Sequence, residues 1–375
     1  MNSQLPIPFI DLAAQRRRLG DRIEKAVREV MDHGRFILGP EVDRLEKDLC
    51  EFSGAKNAIT CANGTDALVL SMMALEIGDG DAIFLPSFTF SASAESVVLA
   101  GATPVFVDIC PDTLNIDPAG LLAGFEEART AGLRPRAVMT VDLFGQPADY
   151  SSIAGFCGEK GLLLIADAAQ SFGASYQGAR VGTLATVTTT SFFPSKPFGC
   201  YGDGGAILTD DEDIADLLRS LRVHGQGSDK YDNVRIGMNS RLDTLQAAIL
   251  IEKLSILKDE IEARQDVAAR YKHGLEDRVI SPDVTDGVVS AWALYTIRLP
   301  EARRDAVQDG LLELGVPTVV YYPRPLHSQP AYAEYPAIDL PESEAACSQV
   351  LSLPMHPYLE EAVQDLIIEG VNKLI

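Results

Sequence analysis

The sequence predicts an α/β protein. We expect a large domain over residues 1–250 with a mostly parallel seven-stranded sheet, and a smaller C-terminal α/β domain over residues 251–375. Short apolar runs without polar alternation recur along the first part, and segments with helical periodicity separate the first five runs. Such runs are typical of strands buried on both faces, and strand–helix–strand repetition predicts a parallel sheet covered by helices. A length of 375 residues is enough for two hydrophobic cores.

Two helices precede the first predicted strand. Residues 9–33 have the apolar spacing of one amphipathic helix. Gly39-Pro40 opens the second helix and Gly54 ends it, because proline suits the first helical turn and glycine the position after the last. No helical segment separates the last two predicted strands, so these two are free to pair antiparallel. The predicted strands are residues 57–61, 81–85, 104–108, 137–141, 162–166, 187–193 and 205–209.

The C-terminal part begins with a loop and a long helix. Residues 224–240 are polar and rich in glycine, which is typical of a functional loop. A helix is predicted over 241–273, and we place the domain boundary within it, near residue 250. The predicted strands beyond it are SAWALYTIRL (290–299) and VPTVVYY (316–322), and the predicted helices are RRDAVQDGLLELG (303–315), EAACSQVLSL (344–353) and LEEAVQDLIIEGVNKLI (359–375).

The composition argues against several classes of function. A net charge of −22 disfavours sequence-independent binding of nucleic acid, which needs clustered Lys and Arg. The six cysteines and five histidines lack the spacing of metal ligands or of a disulfide framework, so we predict no metal site. No apolar run is long enough to span a membrane, and the N-terminus lacks the pattern of a signal peptide. We therefore expect no membrane association and a cytoplasmic location.

Three polar segments follow predicted strands. Asn63-Gly64-Thr65 follows the first strand, Asp167 ends the fifth, and Lys196 lies just beyond the sixth. Open α/β sheets bind ligands at the carboxyl ends of their strands, so we expect the three segments to converge at one edge of the sheet. Together, the segments NGT, DAAQ, S-x-x-x-x-K and GDGG in this order predict a site for pyridoxal phosphate.

The segment around Gly64 and Thr65 suits the phosphate of this cofactor. Both residues open a helix, whose free N–H groups and positive dipole end favour an anion. Gly64 permits close approach, Thr65 adds a hydroxyl donor, and Ser191 supplies another. Taken alone, such a segment is more often a plain helix cap at Asn63 or Thr65, and Ser191 an ordinary residue at the end of a strand.

Asp167, Gln170 and Lys196 suit the ring and the aldehyde of the cofactor. A carboxylate at Asp167 would keep the pyridine nitrogen protonated, so that the ring accepts electrons from a substrate carbanion. Gln170 is suited to hydrogen-bond the phenolic oxygen. Lys196 lies in a stretch without other charges, where an amine is more readily neutral and forms a Schiff base. The alternatives are a capping Asp, a surface Gln and a solvated loop Lys.

Several segments resemble the DegT/DnrJ/EryC1/StrS family of sugar aminotransferases over nearly the whole chain. They are ANGTDAL (62–68), PSFTFSASAE (86–95), PVFVDI (104–109), DLFGQPAD (142–149), DAAQSFGA (167–174), SFFPSKPFGCYGDGGA (191–206), HGQ (224–226) and NSRLDTLQAAIL (239–250). The resemblance implies a type I pyridoxal phosphate-dependent fold, as in aspartate aminotransferase, and a homodimer with shared active sites. Lys196 stands where the dehydratase branch of the family has histidine, which favours transamination.

The same resemblance implies roles for further residues. Phe90 is expected to stack on the cofactor ring, and Asn239 of the partner subunit to reach the phosphate. Arg241 of the partner subunit is expected to bind the anionic part of a sugar nucleotide, against the alternative of a surface ion pair. The other residues expected to bind substrate are Tyr321, Tyr322 and His327, although tyrosines in a strand are more often packing residues.

The implied reaction moves an amino group from glutamate, which leaves as 2-oxoglutarate, to UDP-2-acetamido-2-deoxy-3-keto-glucuronic acid in O-antigen biosynthesis. SFFPSKPFGCYGDGGA, YYPRPLHSQPAY and LSLPMHPYL indicate this subgroup of the family. Tyr321-Tyr322 stands where the subgroup often has His-Tyr, which leaves the exact sugar open. Two alternatives stay open: an aminotransferase for dTDP-keto-6-deoxyhexoses, and a regulatory protein that binds the cofactor without catalysis.

Overall fold

The computed structural model of the protein describes residues 7–229, 231–275 and 278–375. The strands of this part are β1 (Asn57–Cys61), β2 (Asp81–Pro86), β3 (Thr103–Val107), β4 (Arg134–Val141), β5 (Leu163–Asp167), β6 (Ser175–Tyr176), β7 (Ala179–Arg180), β8 (Val187–Ser191), β9 (Gly205–Thr209), β10 (Val288–Val289), β11 (Tyr295–Arg298) and β12 (Val350–Leu353). The α-helices are α1 (Leu12–Leu19), α2 (Arg22–His33), α3 (Pro40–Ser53), α4 (Gly64–Ala74), α5 (Ser91–Leu99), α6 (Leu121–Thr130), α7 (Tyr150–Lys160), α8 (Glu212–Leu221), α9 (Thr244–Gly274), α10 (Glu301–Glu313), α11 (Pro341–Gln349) and α12 (Glu361–Leu374).

A seven-stranded sheet in the order β1-β9-β8-β5-β4-β2-β3 forms the centre of the fold, which confirms the predicted mostly parallel sheet. The pairs from β8 through β5, β4 and β2 to β3 are all parallel. Strand β9 runs antiparallel to both of its neighbours, β8 and β1. The parallel strands therefore end at one edge of the sheet, and β9 returns the chain from that edge.

Both faces of this sheet are covered, as the unbroken apolar runs predicted. Along β2, Ile83 and Leu85 pack into a cluster on one face, and Phe84 packs into a cluster on the other. Helices α4, α5 and α8 contact the first face, while α6 and α7 contact strands on the other. A strand with apolar side chains on both faces loses the polar alternation of a surface strand, because successive residues point to opposite sides.

The C-terminal part has its own hydrophobic cluster around the two-stranded β11–β12 sheet, with members from Val267 to Val371. The long helix α9 joins this cluster to the large sheet. Its residues up to Ile261 pack against clusters of the N-terminal part, and its residues from Val267 pack against the C-terminal cluster. The boundary at residue 250 stays a prediction, and the change in packing along α9 lies between Ile261 and Val267.

Three predicted elements differ from the structure. The helix predicted over 9–33 is two helices, because the backbone at Gly20 has a φ of +56° and ends α1. The helix predicted over 344–353 ends at Gln349, since residues 350–353 pair with β11 as strand β12. The strand predicted over 316–322 forms an isolated bridge from Val319 to Ser352 instead of a ladder.

A buried ion pair ties α3 to the end of α8. Arg222 is 7% exposed, and its Nη1 donates to a carboxylate oxygen of Glu46 and to the Thr60 carbonyl oxygen, the latter at 2.9 Å. The same Glu46 oxygen accepts from the backbone N–H of Thr60 at 2.9 Å and from its hydroxyl at 2.8 Å. Removal of one partner from such a network leaves the other charge buried without compensation.

We expect Arg222→Met to lower the free energy of unfolding by about 3 kcal/mol, because the Glu46 carboxylate then loses its cationic partner. Urea unfolding of the cofactor-free protein measures this change. The double variant Glu46→Gln/Arg222→Met should recover part of the loss, since it buries no unpaired charge. A single variant as stable as the double variant would contradict this account.

Candidate active site

A cavity of about 750 Å³ opens at the carboxyl ends of the central strands. Its walls come from the last residues of β4, β5 and β8, from the first residues of α4 and α5, and from two C-terminal segments. The predicted site residues that line it are Gly64, Thr65, Phe90, Asp167, Gln170, Ser191, Lys196, Tyr321 and Tyr322. The structure thus brings the three predicted segments together.

The N-terminus of α4 forms a cradle beside β8. The Asn63 side chain caps the helix by accepting from the N–H of Asp66 at 2.8 Å. Within the described part of the chain, the N–H groups of Gly64 and Thr65 donate to no protein acceptor. A Cβ at Gly64 would lie 2.7 Å from Cβ of Ser191, so only glycine lets the helix approach the strand this closely. Two free amides and two hydroxyls around one space fit a phosphate group.

Asp167 is held at the end of β5 by two donors. It is 7% exposed, and its carboxylate accepts from the Ser93 hydroxyl at 2.9 Å and from the N–H of Ala169 at 3.2 Å. Burial raises the pKa of Asp167, while these hydrogen bonds and the nearby charge of Lys196 oppose the rise. The carboxylate is therefore fixed in orientation, and it interacts electrostatically with the Lys196 amine.

Lys196 shares this desolvated space. Burial lowers the pKa of the Lys196 amine, and the Coulombic interaction with Asp167 opposes this shift. For both Asp167 and Lys196, burial has a larger effect on the pKa than the interactions that oppose it. An amine with a lowered pKa is neutral for a larger fraction of the time near neutral pH, and only the neutral amine is a nucleophile or a base.

Gln170 is oriented by the backbone. Its Oε1 accepts from the N–H of Phe144 at 2.8 Å, which directs its Nε2 towards the cavity and the Tyr322 hydroxyl at 3.4 Å. The backbone of Phe144 has a φ of +59°, which is uncommon for a residue other than glycine. In this conformation its N–H donates to Gln170. The ring of Tyr322 lies 6.2 Å from the ring of Phe90, which is 57% exposed at the mouth of the cavity.

Three predicted residues lie outside the walls of this cavity. Arg241 borders an open groove with His224 and Arg235, and Asn239 is exposed on the strip of chain just before it. His327 contacts the Ser87 hydroxyl through Nδ1 at 2.7 Å and Glu344 through Nε2 at 3.3 Å. This chain alone therefore does not bring these residues to the other site residues, and their roles stay predictions.

The structure also shows site residues that the sequence reasoning missed. Ser93 fixes Asp167, and Ile10, Asp203 and Ala293 line the cavity. The serine-rich start of α5 was a usable signal for Ser93, because it follows the Phe90 motif directly. Ile10 and Ala293 gave no signal, since apolar residues distant in sequence reach the cavity only through the tertiary fold.

A second buried carboxylate, that of Asp142, stabilises the backbone next to the site. Asp142 accepts from the Ser171 hydroxyl at 2.6 Å, the Tyr150 hydroxyl at 2.9 Å and the N–H of Ala148 at 3.0 Å. Its own N–H donates to the carbonyl oxygen of Asp167 at 3.0 Å. Burial raises the pKa of Asp142 to about 7, against the effect of these three donors. The network fixes the backbone on both sides of Gln170.

Two further observations bear on the other classes of function. Among the described residues, no three His, Cys, Asp or Glu side chains group together in a way that could hold a metal ion. In the same part of the chain, none of the helices combines the length and the apolar character that a membrane crossing needs. The cytoplasmic location expected from the sequence remains a prediction.

The fold and the site define a class of protein. A mostly parallel sheet with an amine, a buried carboxylate and an anion cradle at its carboxyl edge is the arrangement of type I pyridoxal phosphate-dependent aminotransferases. The chain belongs to the DegT/DnrJ/EryC1/StrS aminotransferase family, whose family model matches residues 17–372. The protein is therefore a pyridoxal phosphate-dependent sugar aminotransferase, as the sequence predicted.

Individual relatives cover almost the full chain. It is 50% identical over 367 residues to the UDP-2-acetamido-2-deoxy-3-oxo-D-glucuronate aminotransferase of Pseudomonas aeruginosa, covering 98% of this chain and 99% of the relative. It is 44% identical over 371 residues to a pleiotropic regulatory protein of Geobacillus stearothermophilus, covering 97% of each chain. The crystal structure of a DegT DnrJ EryC1 StrS aminotransferase from Brucella abortus superposes with a TM-score of 0.96 at 49% identity, covering 98% of this chain and 99% of the other.

We expect Gly64→Ala to weaken the binding of pyridoxal phosphate about tenfold or more, because the new Cβ must push α4 away from Ser191 and overpacking costs about 1–3 kcal/mol. Titration of the cofactor-free protein, followed by absorbance, measures the Kd. Gly155→Ala is the matched control, since a Cβ there meets nothing within 4 Å. Equal Kd values for both variants would rule out the cradle as the phosphate site.

Proposed function

We propose that this enzyme transfers an amino group from glutamate to the 3-keto carbon of UDP-2-acetamido-2-deoxy-3-keto-glucuronic acid, for surface polysaccharide (O-antigen) biosynthesis. The observation that carries the chemistry is the desolvated Lys196 beside Asp167 in a cavity with an anion cradle. The choice of sugar is supported by the relative from Pseudomonas aeruginosa, which is named for the same substrate.

The residues of the cavity fit pyridoxal phosphate. Gly64, Thr65 and Ser191 would hold the phosphate, and Asp167 would pair with the ring nitrogen. Gln170 presents Nε2 as a donor for the phenolic oxygen. Phe90 lies at the open side, where its ring is exposed and available to cover a ligand. When bound, the cofactor supplies an aldehyde that accepts the amino group and a protonated ring that accepts electrons.

Lys196 is assigned two tasks in this proposal. Its amine would hold the aldehyde of the cofactor between turnovers and would become free for proton transfer once glutamate has reacted. The freed Lys196 amine would then act as the base that takes the proton from the α-carbon of glutamate and as the acid that gives it back during transfer of the amino group. In the second half of the cycle the same amine would move a proton for the keto sugar. Overall, the amino group and the α-hydrogen of glutamate would exchange for the keto oxygen of the sugar, because the water used to release 2-oxoglutarate is returned when the keto sugar reacts. Both tasks need a neutral amine, which burial favours.

A homodimer with shared active sites is part of the proposal. Arg241 borders a groove that also includes Leu38 and Ile236, and Ile236 is 87% exposed. Phe36, Ile37 and Val234 nearby are also exposed apolar side chains. A group of exposed apolar residues around a basic groove is typical of a protein interface. A second copy seated there would bring Asn239 and Arg241 to the cavity of its partner.

A regulatory role without catalysis is the second candidate, because one relative is named as a pleiotropic regulatory protein. A regulatory role does not require an amine whose pKa is lowered by burial, whereas burial lowers the pKa of Lys196 in the same cavity as the buried Asp167. Reaction of the cofactor-loaded protein with glutamate alone separates the two candidates, since a binding protein leaves the visible absorbance unchanged. Parallel assays with UDP-linked and dTDP-linked keto sugars separate the two aminotransferase functions.

We expect Lys196→Ala to abolish turnover and the visible absorbance of the lysine-bound cofactor, because no other amine of the described cavity walls replaces it. Absorbance spectra and reduction with borohydride followed by peptide mass mapping measure the attachment. A variant that kept wild-type turnover would exclude Lys196 as the catalytic base. Lys258→Ala, at an exposed position of α9, is the control and should retain both properties.

We expect Arg241→Ala to raise the KM for the UDP-sugar by about tenfold, as for loss of one charge-assisted hydrogen bond, and to leave the KM for glutamate unchanged. Steady-state kinetics with each substrate varied in turn measure both values. An equal rise in both KM values would remove the proposed role.

Mixed dimers test whether the residue acts across the interface. At a sugar concentration below the wild-type KM, mixing Arg241→Ala with Lys196→Ala subunits should restore activity, because one hybrid site combines an intact Lys196 with an intact Arg241. No restoration would mean that Arg241 serves its own subunit.

A further inference from the structure

The loop that carries Lys196 is closed by its own backbone. The N–H of Lys196 donates to the carbonyl oxygen of Phe193 at 2.9 Å, and the N–H of Cys200 donates to that of Phe192 at 2.7 Å. A Cβ at Gly199 would lie 2.4 Å from the carbonyl oxygen of Phe193 and 2.7 Å from that of Pro194. Gly199 therefore packs directly onto the turn that precedes Lys196, and its position fixes that turn.

Two side chains of α9 that do not line the cavity hold this loop. The Nζ of Lys253 donates to the carbonyl oxygen of Gly199 and lies 4.5 Å from the centre of the Tyr201 ring. Gln246, two helical turns earlier, accepts from the N–H of Tyr201 at 2.9 Å and donates to its carbonyl oxygen at 3.2 Å. The contacts from Lys253 and Gln246 form a clamp on residues 199–201.

Burial of the Lys253 side chain at this position costs free energy. It is 2% exposed, and burial lowers its pKa to about 8, with Glu260 and Cys200 opposing the shift. A buried ammonium costs more free energy than an apolar side chain of the same length, unless it has a specific partner. Its hydrogen-bond acceptor is a loop carbonyl three residues after Lys196, which points to a role in the site rather than in general stability.

We propose that Lys253 is a positioning residue for the reaction: by holding the Gly199 carbonyl, it fixes the loop that presents the Lys196 amine to the cavity. Lys253 does not line the cavity, so it acts through the loop. The inference rests on the proposed role of Lys196. It adds that the geometry of the amine depends on α9, although α9 contributes no side chain to the cavity walls among the described residues.

The test compares Lys253→Met with the control Lys258→Met. Methionine keeps a long unbranched side chain and removes the donor, while Lys258 is exposed on the same helix and its Nζ lies 3.9 Å from the Glu262 carboxylate. In the cofactor-free protein, hydrogen exchange should be about tenfold faster for peptides covering residues 193–202 in Lys253→Met, because a charge-assisted hydrogen bond is lost. Exchange in β5 should remain as in the wild type.

The second readout is the half-reaction of the cofactor-loaded enzyme with glutamate, followed in a stopped-flow spectrometer. We expect its rate constant to fall about tenfold in Lys253→Met with an apparent Kd for glutamate within about twofold of the wild type, because misplacement of the amine affects the proton transfer and not glutamate binding. Lys258→Met should match the wild type in both values. Gln246→Leu, which removes the other half of the clamp, should give smaller changes in the same direction and serves if Lys253→Met does not fold.

Each outcome decides between distinct possibilities. Faster exchange throughout the protein, or an unchanged loop, would overturn the positioning role, and so would a loosened loop with an unchanged rate constant. None of these results affects the proposed function, which the Lys196→Ala variant tests separately. If Lys196→Ala retains turnover, the proposed function fails, and faster exchange of the loop in Lys253→Met would then describe a structural clamp alone.

Discussion

Lys196 and Asp167 lose water in the same cavity, and burial moves the pKa of the amine down and that of the carboxyl group up. Burial by itself favours the neutral form of both groups, and protonation of Asp167 would remove the charge that is proposed to pair with the ring nitrogen. Ser93 and Ala169 donate to the carboxylate, so hydrogen bonds stabilise its charged form without adding a positive charge that would compete with the cofactor. Among the described residues, no hydrogen bond of this kind reaches the Lys196 amine, and the Asp167 charge opposes the effect of its desolvation.

The sheet makes this pairing possible, because parallel neighbours β5 and β8 end side by side. Asp167 ends β5, Ser191 ends β8, and Lys196 lies one turn beyond. Strand β9 then returns antiparallel, with Gly205 packed so closely on Asn63 that a Cβ would lie 2.5 Å from its carbonyl oxygen. Small residues at these crossings let α4, β8 and β9 meet at one point, and the anion cradle is the result.

The sequence predicted those parts of the fold and site that depend on local patterns. Buried strands gave continuous apolar runs, and the lysine, aspartate and glycine segments each followed a strand end. Residues that depend on tertiary contacts were not predictable in this way. Val350–Leu353 continues a helical pattern but pairs with β11, and the orientation of Gln170 depends on a backbone N–H from a distant loop. Lys253 is a similar case, because nothing local distinguishes a buried lysine from the exposed Lys258.

The cavity walls around Lys196 and the walls proposed to contact the sugar come from different segments of the chain. The residues proposed to hold the cofactor and to move the proton lie at the strand ends, on α4 and on the Lys196 loop. All of these elements belong to the central sheet and its helices. Other walls come from Ile10, Ala293 and the Tyr321-Tyr322 pair. The two tyrosines pack in a cluster that joins Phe88 and Phe144 of the part with the large sheet to Val350 of the C-terminal part. Tyrosine instead of histidine at position 321 changes the shape and the hydrogen-bonding groups of the wall that is proposed to contact the sugar. Asp167 and Lys196 are not altered by this exchange. If Tyr321 and Tyr322 contact the sugar as proposed, the residues that select the substrate and the residue that moves the proton lie on separate elements, so the substrate can change while the reaction stays the same.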